Sequence, residues 1–285
     1  MPLQLQTNRT LSELSTFGIG GPIHLTCEVR SVDDLREAYA FAAREALSTL
    51  ILGKGSNSLF NDAPFEGLVI LNKIELLEIS GSEVSAGAGT SFSLLGAQTA
   101  RRGLSGLEFA SGIPATVGGA IFMNAGANGQ ETASTLQSVS YLFPTGELQV
   151  FQRDALLFNY RTSPFQAMNG CIVSAQFRLV PSPDARRAQL ALIERRMQTQ
   201  PLKDKSAGCI FRNPTPHLSA GALIDQCGLK GTAIGGARIS PLHANFIVNT
   251  GNARASDVRL LIALIQERVR LATGVELEPE IRIWL

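Results

Sequence analysis

The chain has 285 residues, 45% of them hydrophobic and 17% charged, with a net charge of +1. That is the make-up of a folded protein long enough for two or three domains, and it leaves no broad basic field for nucleic acid or an acidic membrane. Four cysteines, at 27, 171, 209 and 227, show no Cys-x-x-Cys spacing; with only three histidines they make neither a zinc site nor a disulfide framework, and no bound metal is expected. No apolar run reaches the ~20 residues of a membrane span, and the first residues lack the basic-then-apolar pattern of a signal peptide. A cytoplasmic setting follows, with no membrane insertion and no obligate protein partner evident.

In chain order, Ser31-Val32-Asp33-Asp34 reads as a helix start, with Ser31 as cap and an acid three residues on. Leu35, Ala38, Tyr39 and Ala42 then recur at helical spacing. Short strands are expected at 49–52 and 68–71, separated by Gly53-Lys54-Gly55-Ser56-Asn57-Ser58. A strand running into Gly-x-Gly-Ser-Asn resembles a phosphate cradle. This small α+β segment ends near residue 75.

From 76 to 182 the strands lengthen and the helices shrink. A helix is expected over 91–102, capped by Ser91 with Gly103 just past its end; Pro144-Thr145-Gly146 has turn chemistry, and 172–180 alternates like a strand. Between these lies the most informative stretch, 110–129, with five glycines and almost no side-chain bulk apart from Phe122 and Met123. Such a backbone can close on a flat or highly charged ligand; it can also be a tight alanine-rich packing segment. Two cradles in one chain suggest a long diphosphate ligand.

Pro181-Ser182-Pro183 marks a boundary. Helices are expected over 184–198, where arginines are interleaved, from Ser219 to Gly228, and over 256–273, where Val258, Leu261, Ile262, Ile265 and Val269 form one stripe before Gly274. Residues 280–284 alternate like a half-buried strand. The predicted division is therefore 1–75, 76–182 and 183–285.

No Rossmann glycine fingerprint, P-loop, His-Glu-x-x-His or Gly-x-Ser-x-Gly is present. The remaining polar features gather late: Tyr160-Arg161, Cys209 after Gly208, Arg212-Asn213, His243-Ala244-Asn245, and Glu280-Ile281-Arg282. Taken singly, Arg161 could be a surface arginine, Cys209 a small buried hydrophobe, and Glu280 and Arg282 decoration on a solvated face.

Together, in order and over nearly the whole length, these segments resemble the UDP-N-acetylenolpyruvoylglucosamine reductase family. Thr16-Phe17-Gly18-Ile19-Gly20-Gly21-Pro22 is similar to its opening motif. Gly53, Lys54, Gly55, Ser56, Asn57 and Ser58, and Gly112, Ile113, Pro114, Thr116, Val117, Gly118, Gly119 and Ala120, resemble its two flavin-diphosphate loops. The resemblance implies an α+β fold in which a two-part FAD-binding domain of the vanillyl-alcohol-oxidase type, 1–75 and 76–182, precedes a substrate-binding domain, 183–285. It implies non-covalent FAD, NADPH as hydride donor, and a UDP-sugar substrate whose enolpyruvyl ether takes hydride from the reduced flavin. It places Arg161 and Glu280 at the substrate carboxylate, Cys209 as the proton donor to carbon, and Tyr160, Arg212, Asn213, His243, Asn245 and Arg282 among the substrate contacts.

The chain also departs from the family's usual pattern. Cys209 stands where many members carry serine; a thiol, with a pKa of about 8.5, is protonated at neutral pH and a far stronger acid than an alcohol. Ala115, Asn128 and Leu242 replace a frequent glycine, aromatic and lysine. No long tyrosine-bearing insertion lies between Tyr160 and Cys209, which implies the shorter type of the enzyme. A sugar or alcohol oxidase of the same fold, or a non-catalytic nucleotide-sugar binding protein, are the alternatives; no histidine or cysteine lies in a recognised flavin-attachment motif, which weakens the first, and the intact cradles with Arg161, Cys209 and Glu280 argue against the second.

Overall fold

The computed structural model describes residues 3–284, which include six α-helices: α1 (Val32–Arg44), α2 (Phe92–Arg101), α3 (Val117–Phe122), α4 (Ala185–Thr199), α5 (Ala220–Gln226) and α6 (Ala255–Thr273). The described residues form two compact units. Residues 3–7, 25–54 and 66–195 make the first; 8–24, 55–65 and 196–284 make the second. None of these helices is long and apolar enough to cross a membrane.

The first unit holds two sheets. In one, Ser48–Leu52 runs parallel to Phe65–Asn72, which neighbours Pro22–Val29 and then Leu5–Gln6. The strand expected at 49–52 is one residue longer, and its first two residues are exposed. The helix start expected at Ser31 is a full capping box: Ser31 Oγ accepts from Asp34 N at 3.1 Å, and the Asp34 carboxylate accepts from Ser31 N at 3.0 Å, an arrangement worth about 1 kcal/mol. Leu35, Ala38, Tyr39 and Ala42 of α1 pack with Cys27, Val29, Leu68 and Ile70.

The other sheet is antiparallel throughout, in the order Leu148–Gln152, Leu136–Leu142, Cys171–Arg178, Glu83–Gly87, Leu77–Ser80. Its inner face buries Val139, Tyr141 and Phe177 against Phe92 and Leu95 of α2, Phe109, and Val117 and Ile121 of α3. The strand expected to reach residue 180 leaves this sheet after Arg178. Leu179 N donates to Ser82 O, and Val180–Pro181 pairs instead with Leu104–Ser105.

In the second unit a four-stranded antiparallel sheet runs Lys205–Cys209, Phe246–Asn249, Ala237–Ile239, Ala233–Ile234. The stripe of α6 packs onto it together with Leu223 and Ile224 of α5, and Phe17, Ile19 and Leu59 complete this core. Burial of each large side chain contributes about 1.5–3 kcal/mol. Gly274 ends α6 at φ +74°, its N–H on Arg270 O, as the sequence predicts. Of the expected 280–284 strand only Arg282–Trp284 is regular, and it pairs parallel with Ser58–Phe60.

Candidate active site

Within the first unit the end of the strand Ser48–Leu52 is laid against the start of α3. Thr116 caps α3, its Oγ1 accepting from Gly119 N at 3.2 Å. A Cβ on Gly53 would stand 2.5 Å from that Oγ1, and one on Gly118 would stand 3.0 Å from the Ala88 Cβ. Both glycines are therefore demanded by close approach within the chain itself. Gly119 differs. A Cβ there would meet Thr116 Oγ1 at 3.4 Å, an ordinary contact, and nothing else within 4 Å beyond its chain neighbours and its own helix's backbone.

The backbone donors of this loop are largely engaged inside the chain: Val117 N on Thr90 O, Gly118 N on Ala88 O, Ala120 N on Thr116 O, and Ile113 N on Ala110 O. Gly112 ends a 3₁₀ turn begun at Glu108, and Pro114 is exposed beyond it. What α3 and its approach offer a ligand is thus a surface stripped of side chains. Lys54 Nζ donates to Ser91 Oγ at 3.0 Å. That takes up the hydroxyl expected to cap α2; Ser91 stands at the N-cap position but makes no side-chain capping bond. Burial and the neighbouring Lys73 lower the Lys54 pKa, with Glu75 acting in the opposite sense.

Arg161 belongs to the same unit and is half-buried rather than a plain surface arginine. It stands at the tip of a tight turn closed by Asn159 N on Thr162 O (3.1 Å) and Thr162 N on Asn159 O (3.0 Å). Its φ is +57°, a conformation that costs an L-residue roughly 1–2 kcal/mol. The guanidinium lies 4.8 Å from the Tyr160 ring centroid and donates from Nη2 to Gly126 O at 2.9 Å. The Phe122 carbonyl, last in α3, accepts from Ser163 Oγ (2.7 Å) and Gln166 Nε2 (2.9 Å), which ties the arginine's loop to the glycine-bearing helix.

The second unit brings Cys209 and Glu280 onto one backbone ladder. Cys209 ends the strand Lys205–Cys209 after a bulge in which Gly208 takes φ +78°. The following residues pair with the C-terminal segment: Glu280 N donates to Ile210 O at 2.7 Å, and Arg212 N donates to Glu278 O at 2.9 Å. Asn57 and Ser58 reach the same segment. Asn57 Nδ2 donates to Glu280 O at 3.2 Å, Arg282 N donates to Asn57 O at 2.9 Å, and Trp284 Nε1 reaches Ser58 Oγ at 3.4 Å. Arg282 itself stacks over Trp284, 5.4 Å from the ring centroid.

Asn245 is buried, and its amide holds both ends of Phe211: Oδ1 accepts from Phe211 N at 2.9 Å, while Nδ2 donates to Phe211 O at 2.8 Å. Its own N–H goes to His243 Nδ1 at 3.2 Å. Burial, then Lys230, hold the His243 pKa below the ordinary imidazole range, so the neutral ring keeps its proton on Nε2. Asn213 Oδ1 accepts from Ala220 N, the first residue of α5, at 3.1 Å. Leu242, in place of the family's lysine, is exposed.

Two residues here lay outside the sequence reading. Arg196 Nε, near the end of α4, and Gln200 Oε1, just past it, are buried without a hydrogen bond among the described residues, as is Arg212 Nε. Burial pushes Arg196 below the usual arginine range while the nearby Cys209 acts in the opposite direction. No apolar stripe marks α4, whose arginines are spread around it, so nothing local singled Arg196 out. Cys27 and Cys171 are of another kind: buried in the first unit, with burial pushing each thiol up to about 12. Among the described residues no group of three or more His, Cys, Asp or Glu could hold a metal.

Comparison with known proteins agrees with this arrangement. The FAD binding domain model matches residues 23–152, and the UDP-N-acetylenolpyruvoylglucosamine reductase C-terminal domain model matches residues 200–284. The chain is 57% identical to UDP-N-acetylenolpyruvoylglucosamine reductase of Protochlamydia amoebophila and 49% identical to that of Chlamydia muridarum, covering 99% of this chain and 94% and 95% of those proteins. The crystal structure of the Thermus caldophilus enzyme is similar at a TM-score of 0.84 and 37% identity over 99% of both chains. With an FAD-binding domain followed by the reductase's C-terminal domain, this α+β chain belongs to the UDP-N-acetylenolpyruvoylglucosamine reductase family of FAD-dependent oxidoreductases.

Proposed function

We propose that the chain reduces the enolpyruvyl ether of UDP-N-acetylglucosamine-enolpyruvate to UDP-N-acetylmuramate, in peptidoglycan precursor synthesis, with Arg161, Cys209 and Glu280 as its catalytic residues. The observation that carries the assignment of residues is the ladder between 210–212 and 278–280, which sets the acid Glu280 beside the Cys209 segment within one unit.

The residues present fit FAD. A Cβ at Gly119 would project into space that no other part of the chain fills closely, whereas one at Gly53 would collide with Thr116 and one at Gly118 would crowd Ala88. In this reading Gly53, Lys54, Gly112–Pro114 and Thr116–Ala120 of the first unit would hold the dinucleotide. The bound flavin supplies hydride, taken from NADPH and given to the enolpyruvyl carbon.

Charge then grows on the adjacent carbon and its carboxylate. Arg161 presents a planar donor fork suited to that oxyanion. Glu280 shares a proton with the enolising carboxylate, and the Cys209 thiol delivers a proton to carbon. The buried donors of Arg196 and Arg212 suit an anionic substrate, whose oxygens would give Nε of each the acceptor it lacks among the described residues. Asn245, engaged at both ends by Phe211, holds the Cys209 segment in place, and Asn213 caps α5. Tyr160, His243 and Arg282 complete the proposed substrate contacts. The division into 1–75, 76–182 and 183–285 belongs to the same reading, although the cores cross it: Phe17, Ile19 and Leu59 pack with C-terminal residues, and Leu142, Cys171 and Val173 pack with α1. So does a cytoplasmic location, which suits NADPH chemistry and four free cysteines.

The test is spectral. Purified protein should carry flavin absorbance, lose it anaerobically on adding NADPH, and regain it on adding the enolpyruvyl sugar nucleotide. Flavin that NADPH bleaches and only oxygen restores would sink the assignment.

A further inference from the structure

Arg161 depends on two pieces of backbone that are not adjacent in sequence. Its own conformation is set by the turn between Asn159 and Thr162; its guanidinium is fixed by the carbonyl of Gly126, which opens a small hairpin. That hairpin pairs Gly126 with Glu131 and Ala127 with Gln130 around Asn128-Gly129, at φ +55° and +78°. Two consecutive positive φ values select Asn-Gly, which accounts for Asn128 where the family commonly has an aromatic. Gly126 has no freedom either, since a Cβ there would collide with the Gln130 carbonyl.

One side chain joins the two pieces. Asn124 is fully buried. Its Nδ2 donates to Glu131 Oε2 at 2.9 Å, on the hairpin, and to Asn159 O at 3.0 Å, on the turn; its Oδ1 accepts from Ala133 N at 3.1 Å. Both amide hydrogens and one acceptor site are thus engaged, with one bond to each piece that Arg161 needs. No other side chain offers two donors and an acceptor at this length except the amide itself.

We propose that Asn124 is a positioning residue for Arg161, acting by clamping the Glu131 carboxylate and the Asn159 carbonyl so that the hairpin and the turn keep one register. It touches no reacting atom. The inference rests on the reading of Arg161 as the substrate-carboxylate residue. Loosening the clamp leaves the arginine on the same chain but free to drift by a fraction of an ångström, and misplacement by ~1 Å can cost ~100-fold in rate.

Anaerobic stopped-flow on the holoenzyme separates the possibilities. N124A should be bleached by NADPH at a near-normal rate and reoxidised by the enolpyruvyl sugar nucleotide ~10–100-fold more slowly. If Asn124 acts through Arg161, adding N124A to R161K should cost less than ~3-fold more, because the two changes remove one interaction. Equal loss in both half-reactions, or full additivity with R161K, assigns Asn124 to general stability and overturns the proposal.

A second pair of variants decides the matter if N124A does not fold. E131A should slow only reoxidation, and E131Q, which keeps an oxygen acceptor for Nδ2, should restore most of that rate; identical behaviour of the two overturns the clamp. Wild-type flavin that NADPH reduces but the sugar nucleotide cannot reoxidise would overturn the functional reading, and this inference with it. A wild type that turns over, alongside an N124A variant indistinguishable from it, overturns this inference alone.

Discussion

The two halves of the proposed chemistry are held by different means. In the second unit Cys209 and Glu280 are placed chiefly by backbone, a bulged strand end and a ladder between 210–212 and 278–280, with one side chain, the Asn245 amide, gripping Phe211. In the first unit Arg161 sits at a positive-φ turn and on the Gly126 carbonyl, and side chains, Gln166 and the Asn124 network, tie those two pieces together. Backbone ladders are insensitive to which side chains they carry, whereas a side-chain network fails at one substitution. Changes at the reacting groups of the second unit should therefore remove chemistry and leave the fold; in the first unit, geometry and cofactor should be the first to suffer.

The largest effect should be at Gly119. G119V puts a branched side chain where the chain itself has room, so the protein should fold and be purified without flavin. G118V is the less clean variant, because its side chain meets Ala88 at once. Melting curves with flavin absorbance separate the two outcomes. Normal flavin content in folded G119V would take α3 out of the cofactor site.

Next in size is the ladder of the second unit. E280Q keeps the shape and removes the shared proton, and should slow the second half-reaction by about two to four orders of magnitude, the scale of acid–base catalysis. C209A should fall in the same range with normal bleaching by NADPH, and C209S should recover much of the loss, since a hydroxyl restores a donor. Alkylation should find Cys209 before Cys27 and Cys171, whose buried thiols stay protonated, and substrate should protect it. Near-wild-type turnover in C209A would return Cys209 to packing. A fall of both half-reactions in E280Q would make Glu280 structural.

How much of this was legible in the sequence follows the same division. Local devices were readable: the Ser31–Asp34 capping box, the α6 stripe ended by Gly274, and the two bare loops. Each is encoded within a few residues. The Cys209–Glu280 ladder was not visible as geometry, because its strands are some 70 residues apart and only the family's ordered motifs hinted at it. The pairing of Arg282–Trp284 with Ser58–Phe60 spans more than 220 residues, so the tail read only as an alternating strand. Asn124 passed as part of a small-residue run, since nothing local says that a buried amide will bridge 131 and 159. Arg196 was hidden by its own helix, where arginines of no consequence surround it.

The smallest predicted effect is a pH dependence of stability that belongs to the second unit alone. His243 Nδ1 accepts the Asn245 N–H, and burial holds the ring neutral below its usual range. In the unfolded chain the same ring takes up a proton near pH 6.5. Between that value and its lower folded pKa, the unfolded state binds more protons, so stability is full above about pH 6.5 and falls as the pH drops through this window. Asp34 and Asp257, held low by backbone N–H donors, add a separate loss that begins only near their unfolded values, about 4. H243N keeps an acceptor for Asn245 N and removes the titration. Denaturant midpoints of the holoenzyme should then be flat from pH 7 to 5 in H243N and slope in the wild type, with the two curves falling together below pH 4. An unchanged slope in H243N would place the acid sensitivity elsewhere and leave His243 to its proposed substrate contact alone.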